Sequence, residues 1–346
     1  MPILARMITT PVVVDVRPGA IAGLAGLLAD QRISTAGRVA VAVGASSGPR
    51  LRGLLEPTLH TADFYTVPAG TVDAAVALAD QVKGSSYDAI VGVGGGKVLD
   101  VTKYTAARVG LPMVSVATNL AHDGIASPVS ILDNDAGRGS YGVPAPIAVV
   151  VDLDLVREAP PRSVRAGIGE VLSNLSAILD WELSHEHTGE SIDGLAVTFA
   201  RTAAEAVLHH PGTIDDDDFL LVLAEGLVLS GLAMVVAGST RPCSGACHEI
   251  SHAIDLLFPG RAGYHGEQVG LGAAFASYVR NLHKTSTTGD EQLGALTRCL
   301  IRHGLPVLPG DLGRYTILEH LNLDWDGEHA VVKDYIRDRE RPANDR

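Results

Sequence analysis

The chain is poor in aromatic residues. Two Trp, eight Tyr and five Phe amount to 4% of 346 residues, so its core has to be built from Ala, Val, Leu and Ile. Cysteine is scarcer still, with Cys243, Cys247 and Cys299 as the full complement. So few thiols exclude a disulfide-framed scaffold and fit a reducing compartment. Lys and Arg number 27 against 40 Asp and Glu, giving a net charge of −13, and they form no dense block. That balance counts against nucleic acid or an anionic membrane as partner, while a small anionic ligand needs only a local basic pocket. The opening stretch MPILARMITTPVV has no apolar signal region with a cleavage site. With the cysteine usage, this predicts a cytoplasmic protein. No internal repeat is present.

What remains is apolar and globular. Hydrophobic residues are 46% and charged residues 19%, which excludes disorder, and the length suits one very large domain or two ordinary ones. One run, FLLVLAEGLVLSGLAMVVAG at 219–238, is long enough to cross a membrane. It contains Glu225 and two interior glycines, stands alone and follows the acidic run 215–218. A buried core helix is therefore expected, with no membrane insertion.

Strand-like and helix-like periodicities alternate through the first half. Short apolar runs at 12–14, 38–43, 63–67, 87–93, 112–117 and 147–151 read as buried strands. Helical patterns at 18–31, 49–60, 70–83 and 98–109 separate them. That alternation predicts a parallel sheet with helices on both faces, whose carboxyl edge binds a dinucleotide. The turn GVGGGKVLD after the fourth run places Gly94, Gly95 and Gly96 at a helix start, where free N–H groups favour an anion. It departs from the usual G-x-G-x-x-G spacing. Residues 118–132 follow the next strand directly and are expected at the binding edge, and 133–146 reads as a hairpin or loop. After Pro160–Pro161 the pattern is helical throughout: 163–186, 189–209, 219–238, 245–257, 266–283 and 289–303. The expected division is an α/β domain over 1–157 and an all-α domain over 158–346, with a cleft between them. The charged tail after Asp324 is expected to fray.

The stretch STRPCSGACHEISHAIDLLFPGRAGYHGEQVG carries three histidines. His248 and His252 are four apart and share a helix face. His265 opens the next helical pattern. Two imidazoles on one helix and a third on the next can meet at a divalent metal, or can be ordinary part-buried residues. Cys243 and Cys247 flank them as soft ligands or as small packing residues.

Taken together and in order, GVGGGKVLDVTKY, HDGIASPVSI, AGIGEVLSNLSAILDW, SGLAM, STRPCSGACHEISHA and YHGEQVG resemble the sn-glycerol-1-phosphate dehydrogenase family. That family belongs with glycerol dehydrogenases, iron-containing alcohol dehydrogenases and dehydroquinate synthases. The resemblance implies a dehydroquinate synthase-like fold and a homo-oligomer. It also implies NAD or NADP as cofactor and one divalent metal per subunit: zinc, iron or nickel. It assigns Glu170, His248 and His265 as metal ligands, and Asp123 and His252 as catalytic and substrate-contacting residues, with Glu170 also facing the substrate. Gly94, Gly95, Gly96, Lys97, Val98, Leu99, Asp100, Thr118, Asn119, Leu120, Ala121 and Ser127 match positions that cradle the cofactor. The implied reaction is reversible reduction of a small phosphorylated substrate, dihydroxyacetone phosphate, to sn-glycerol 1-phosphate. Arg241, just before the histidine helix, is the candidate for the substrate phosphate because a guanidinium binds phosphate bidentately.

Two positions depart from the family pattern. Glu170 stands where these dehydrogenases carry aspartate and dehydroquinate synthases carry glutamate, and TNLA precedes HDG where a hydroxyl-rich segment is expected. A sugar-phosphate cyclase, or a reductase of another small ketone or aldehyde, therefore stays open as an alternative. The strand at 39–43 ends in GASSG, with no acidic residue to hold a ribose 2′-hydroxyl, so both NAD and NADP are expected to serve.

Overall fold

The computed structural model describes residues 8, 11–35, 37–135, 137–258, 263–282 and 288–308. The tail after Asp324 lies outside the described residues. The first half contains β1 (Val13–Arg17), α1 (Leu24–Leu28), β2 (Val39–Gly44), α2 (Gly48–Leu55), β3 (Asp63–Val67), α3 (Val72–Val82), β4 (Ala89–Gly94), α4 (Gly96–Val109), β5 (Met113–Ala117), β6 (Val129–Asn134), β7 (Gly137–Gly142) and β8 (Ala148–Asp152). Six of these strands form one sheet in the order β1-β8-β5-β4-β2-β3, and every pair in it is parallel.

The apolar runs form strands because both sheet faces are covered. All residues of β2, β4, β5 and β8 are buried. Alternate residues serve different cores. Val39, Val41, Val43, Val91 and Val93 pack with Leu24, Leu51 and Leu55 from α1 and α2. Ala40, Ala42 and Ile90 belong to the larger core shared with the C-terminal helices. From β2 the chain runs outward to β3, and from β4 it runs the other way to β5. The switch point therefore lies between β2 and β4, where their carboxyl ends open a crevice.

Three expectations shift. The helix predicted over 18–31 is a 3-10 turn at Ala20–Gly23 followed by the short α1. Gly19, Gly23 and Gly26 deny it a continuous helix former. The helix predicted over 49–60 stops at Leu55. The antiparallel β6–β7 hairpin begins at Val129 rather than after residue 132.

The second half is helical: α5 (Leu153–Glu158), α6 (Pro161–Thr188), α7 (Gly194–His209), α8 (Asp217–Ala237), α9 (Ala246–Leu257), α10 (His265–Leu282) and α11 (Thr288–Arg302). Among the described residues α8 is the one helix long and apolar enough to cross a membrane, with a mean hydropathy of 2.4. Two-thirds of that window is buried inside the molecule, against α6 and α7, as expected of a core helix. Helix α6 packs along α10 at backbone distance. A Cβ on Gly169 would lie 2.1 Å from the Gly266 carbonyl oxygen, and one on Gly266 would lie 1.8 Å from the Ala166 carbonyl oxygen. Only glycine admits this approach.

Candidate active site

A cavity of about 400 Å³ opens between the carboxyl edge of the sheet and the helices. Of the predicted residues, Lys97, Asp100, Asp123, Ser127, Glu170, His248, His252 and His265 line it. Residues from both halves of the chain thus share one space.

On the sheet side, β4 runs directly into α4 with Gly95 as a helix start that no side chain caps. A Cβ on Gly95 would meet nothing within 4 Å, so the space beside this uncapped helix start is open, as an anion there requires. The next residue is different. A Cβ on Gly96 would lie 1.8 Å from His122 Nε2. The imidazole of His122 is thus seated on the glycine turn, and its Nδ1 accepts from Gly124 N at 2.9 Å. Burial keeps His122 below its usual pKa, hence neutral. Leu99 and Leu120 are fully buried in the apolar core and Val98 nearly so. Asn119 donates to Ser163 Oγ at 2.8 Å, joining its segment to α6. Thr118 N donates to the Gly94 carbonyl at 3.1 Å.

Beneath this edge lies a charge pattern alone does not reveal. Lys103 is 1% exposed and pairs with Asp100 at 3.1 Å. It also donates to the carbonyls of Ser127, at 3.4 Å, and Val129. A buried ammonium needs such partners, and by taking them Lys103 ties the segment after Asp123 onto α4. The available signal was its placement three residues after Asp100 on a helix, one turn along the same face.

On the helical side, Glu170 from α6, His248 from α9 and His265 at the start of α10 bring one ligand atom each within 4.8 Å of one another. The His248 and His265 ring centroids are 5.1 Å apart, while His252 stands 6.5 and 6.4 Å from them. Glu170 is 5% exposed, and its Oε2 has no hydrogen-bond partner. An orphaned buried carboxylate oxygen is costly. Burial, reinforced by the nearby Asp123 charge, pushes the Glu170 carboxyl well above its usual pKa. Burial also holds His248 down at about 3 and His265 well below its usual value. The 3.7 Å approach of His265 Nε2 to Glu170 Oε2 therefore joins a neutral imidazole to a carboxyl and is not an ion pair. A crowded carboxylate with two neutral imidazoles is a donor set that fits a divalent metal. The longer glutamate side chain still reaches the two histidines.

The orientation of His265 is set by its neighbours. Ser251 Oγ donates to Gln268 Oε1 at 2.5 Å, and Gln268 Nε2 donates to Asp255 Oδ1 at 3.0 Å. With its hydroxyl proton committed, Ser251 accepts from His265 Nδ1–H at 2.8 Å. That leaves the Nε2 lone pair facing Glu170, the arrangement a metal-ligating histidine requires. Asp123 is half-buried in the cavity wall, and burial raises its carboxyl pKa against the lowering pull of Lys103. Cys243 and Cys247 are buried, burial pushes their thiols above their usual range, and among the described residues neither belongs to the converging donor set. Arg241 is a correction. Its Nε pairs with Glu190 Oε1 at 2.9 Å, and it does not line the cavity. The turn at 239–244 directs it toward the C-terminal end of α6 instead. Among the described residues, the cation that does line the helical side is Arg138 of β7, in a stretch the sequence presents only as turn-rich.

A family model described as iron-containing alcohol dehydrogenase matches residues 15–160. A glycerol-1-phosphate dehydrogenase (NAD(P)+) of Hyperthermus butylicus is 36% identical, with 83% of this chain and 85% of the relative covered. One of Sulfurisphaera tokodaii is 30% identical over 83% and 87%. Among solved structures, a probable glycerol dehydrogenase of Sinorhizobium meliloti 1021 superposes with a TM-score of 0.74 at 23% identity, covering 98% of this chain and 92% of that one, which bears on the fold. With relatives of this identity matched over most of their length, the chain belongs to the glycerol-1-phosphate dehydrogenase family.

Proposed function

We propose that the protein reversibly reduces dihydroxyacetone phosphate to sn-glycerol 1-phosphate with NADH or NADPH, as a cytoplasmic enzyme. The observation that carries this reading is the convergence of Glu170, His248 and His265 on the cavity that also takes Asp123, His252 and the first turn of α4. The names of its relatives give the substrate and the cofactor pair.

Glu170, His248 and His265 would hold the metal. Gly94 to Asp100, Thr118 to Ala121 and Ser127 would hold the dinucleotide along the switch-point crevice, with its pyrophosphate at the α4 start. When bound, a divalent metal supplies a Lewis acid for the ketone oxygen and the nicotinamide supplies the hydride. The protein's residues do the rest. Ser251 keeps His265 Nε2 aimed inward. The raised pKa of Asp123 lets its carboxyl hold a proton close to neutral pH, and His252, exposed at the mouth, passes protons between the cavity and solvent. A division near residue 157 would place the cofactor on one domain and the metal on the other.

Zinc-loaded protein mixed with dihydroxyacetone phosphate is expected to oxidise NADH and NADPH, followed by absorbance. Absence of oxidation, together with phosphate release from a seven-carbon sugar phosphate, would replace this reading with the cyclase.

A further inference from the structure

Among the described residues, the cavity is lined by five carboxylate residues, Asp100, Asp123, Asp133, Glu170 and Glu249, and by two residues of the Lys/Arg type, Lys97 and Arg138. Two anionic groups have to be received there if the proposed reaction holds: the dinucleotide pyrophosphate and the substrate phosphate. The two cations stand at different places. Lys97 lies on the first turn of α4 and packs beside Gly70, whose Cβ would lie 3.2 Å from Lys97 Cγ. That is the cofactor end. Arg138 lies on the hairpin and is fastened to the metal end. Its Nη1 donates to Asp255 Oδ2 at 2.6 Å and its Nε to Asp133 Oδ1 at 3.3 Å. Asp255 sits one turn beyond His252 on α9, and its other oxygen accepts from Gln268. Gln268 in turn accepts from Ser251, which fixes His265. One hydrogen-bonded chain therefore runs from His265 to Arg138. The Nη2 edge of Arg138 makes no hydrogen bond or ion pair among the described residues.

We propose that Arg138 is the residue that recognises the phosphate end of the substrate, presenting its Nη2 edge to the phosphate oxygens. Asp255 holds the other edge, so the fork is oriented before the ligand arrives and little side-chain freedom is lost on binding. The Asp133 contact is long and exposed, and gives way to the stronger anion. Because the tether ends on His265, phosphate position is set relative to the metal ligands. This inference deepens the proposed reaction and rests on it.

Arg138→Leu tests it. With zinc-loaded enzyme and NADH, KM for dihydroxyacetone phosphate rises on the order of 10- to 100-fold. Kinetic constants for unphosphorylated dihydroxyacetone stay within about twofold. Arg138→Lys, which keeps the charge and loses the fork, recovers part of the loss, and Arg241→Leu behaves as wild type. In metal-free protein, inorganic phosphate raises the melting temperature of wild type more than that of Arg138→Leu. A variant that keeps the wild-type preference for the phosphorylated ketone overturns the assignment. So does equal loss on both ketones in a variant that melts as wild type does, which would make Arg138 only a support for His265. Wild type that ignores dihydroxyacetone phosphate sinks the reaction itself; equal phosphate shifts in wild type and Arg138→Leu then remove the subsite too.

Discussion

The two sides of the cavity are assembled differently. On the sheet side, Gly94 to Asp100 arrive as one unbroken stretch, with β4 running into α4. On the helical side, Glu170, His248 and His265 come from three helices and meet because α10 touches α6 backbone to backbone at Gly169 and Gly266, and α9 at Cys247 and Gly272. The first arrangement depends on a local turn; the second depends on how closely two helices pack. A damaged turn should cost cofactor affinity and spare the fold, whereas a damaged helix contact should cost fold and metal together.

The largest effect is expected from removing a ligand. His248→Ala should lower bound zinc, by elemental analysis, to a small fraction of wild type and reduce kcat/KM by on the order of a thousandfold. NADH affinity by fluorescence titration should hold, because the α4 turn is untouched. Full metal content in this variant would remove His248 from the ligand set. Next is Gly266→Ala, whose methyl would collide with the Ala166 carbonyl. Denaturant unfolding should show a loss of about 2–3 kcal/mol, accompanied by weaker zinc binding. Unchanged stability would mean the helices can separate freely and the contrast is wrong.

Gly95→Ala sharpens the same contrast from the other side. Its new methyl meets nothing within 4 Å, so stability should change by less than about 1 kcal/mol, while Kd for NADH rises roughly tenfold because the methyl stands where the pyrophosphate approaches the helix start. Unaltered NADH binding would move the pyrophosphate elsewhere. The smallest effect concerns acid sensitivity remote from the cavity. His303 is 5% exposed and stacks on Phe219 at 4.9 Å, and burial holds its pKa down at about 4. The unfolded chain takes up this proton near pH 6.5 and the folded chain only near 4. Stability is therefore complete above about pH 6.5 and falls as pH drops toward 4, by about 1–2 kcal/mol once screening is allowed for. His303→Leu in the zinc-loaded enzyme should flatten that slope; an unchanged slope would assign it to another group.

The strands were legible because buried parallel strands are uninterrupted apolar runs; β3 falls at the expected residues and β5 and β8 within one. The start of β6 was not, since only Ser130 and Leu132 of its six residues are buried, and it reads as a continuation of the preceding loop. The sequence does not place Arg241, because nearness to the histidine helix says nothing about which way an intervening turn points a side chain. Arg138 is hidden in the sequence for the complementary reason. Its partner Asp255 is remote in sequence, and no spacing rule links a hairpin to a helix.

The amino-acid pattern by itself determined the alternation of strands and helices, the apolar character of α8 and the residue types available as ligands. These are consequences of local periodicity and side-chain chemistry. Tertiary structure decided which of them meet. Spacing makes His248 and His252 the natural pair, yet it is His265 whose ring lies 5.1 Å from His248, while His252 is 6.5 Å away. The reason is that the distance between two helices is fixed by the smallest residues at their contact, here Gly272 of α10 against the Cys247 backbone of α9, and that distance is not a periodic property of either helix.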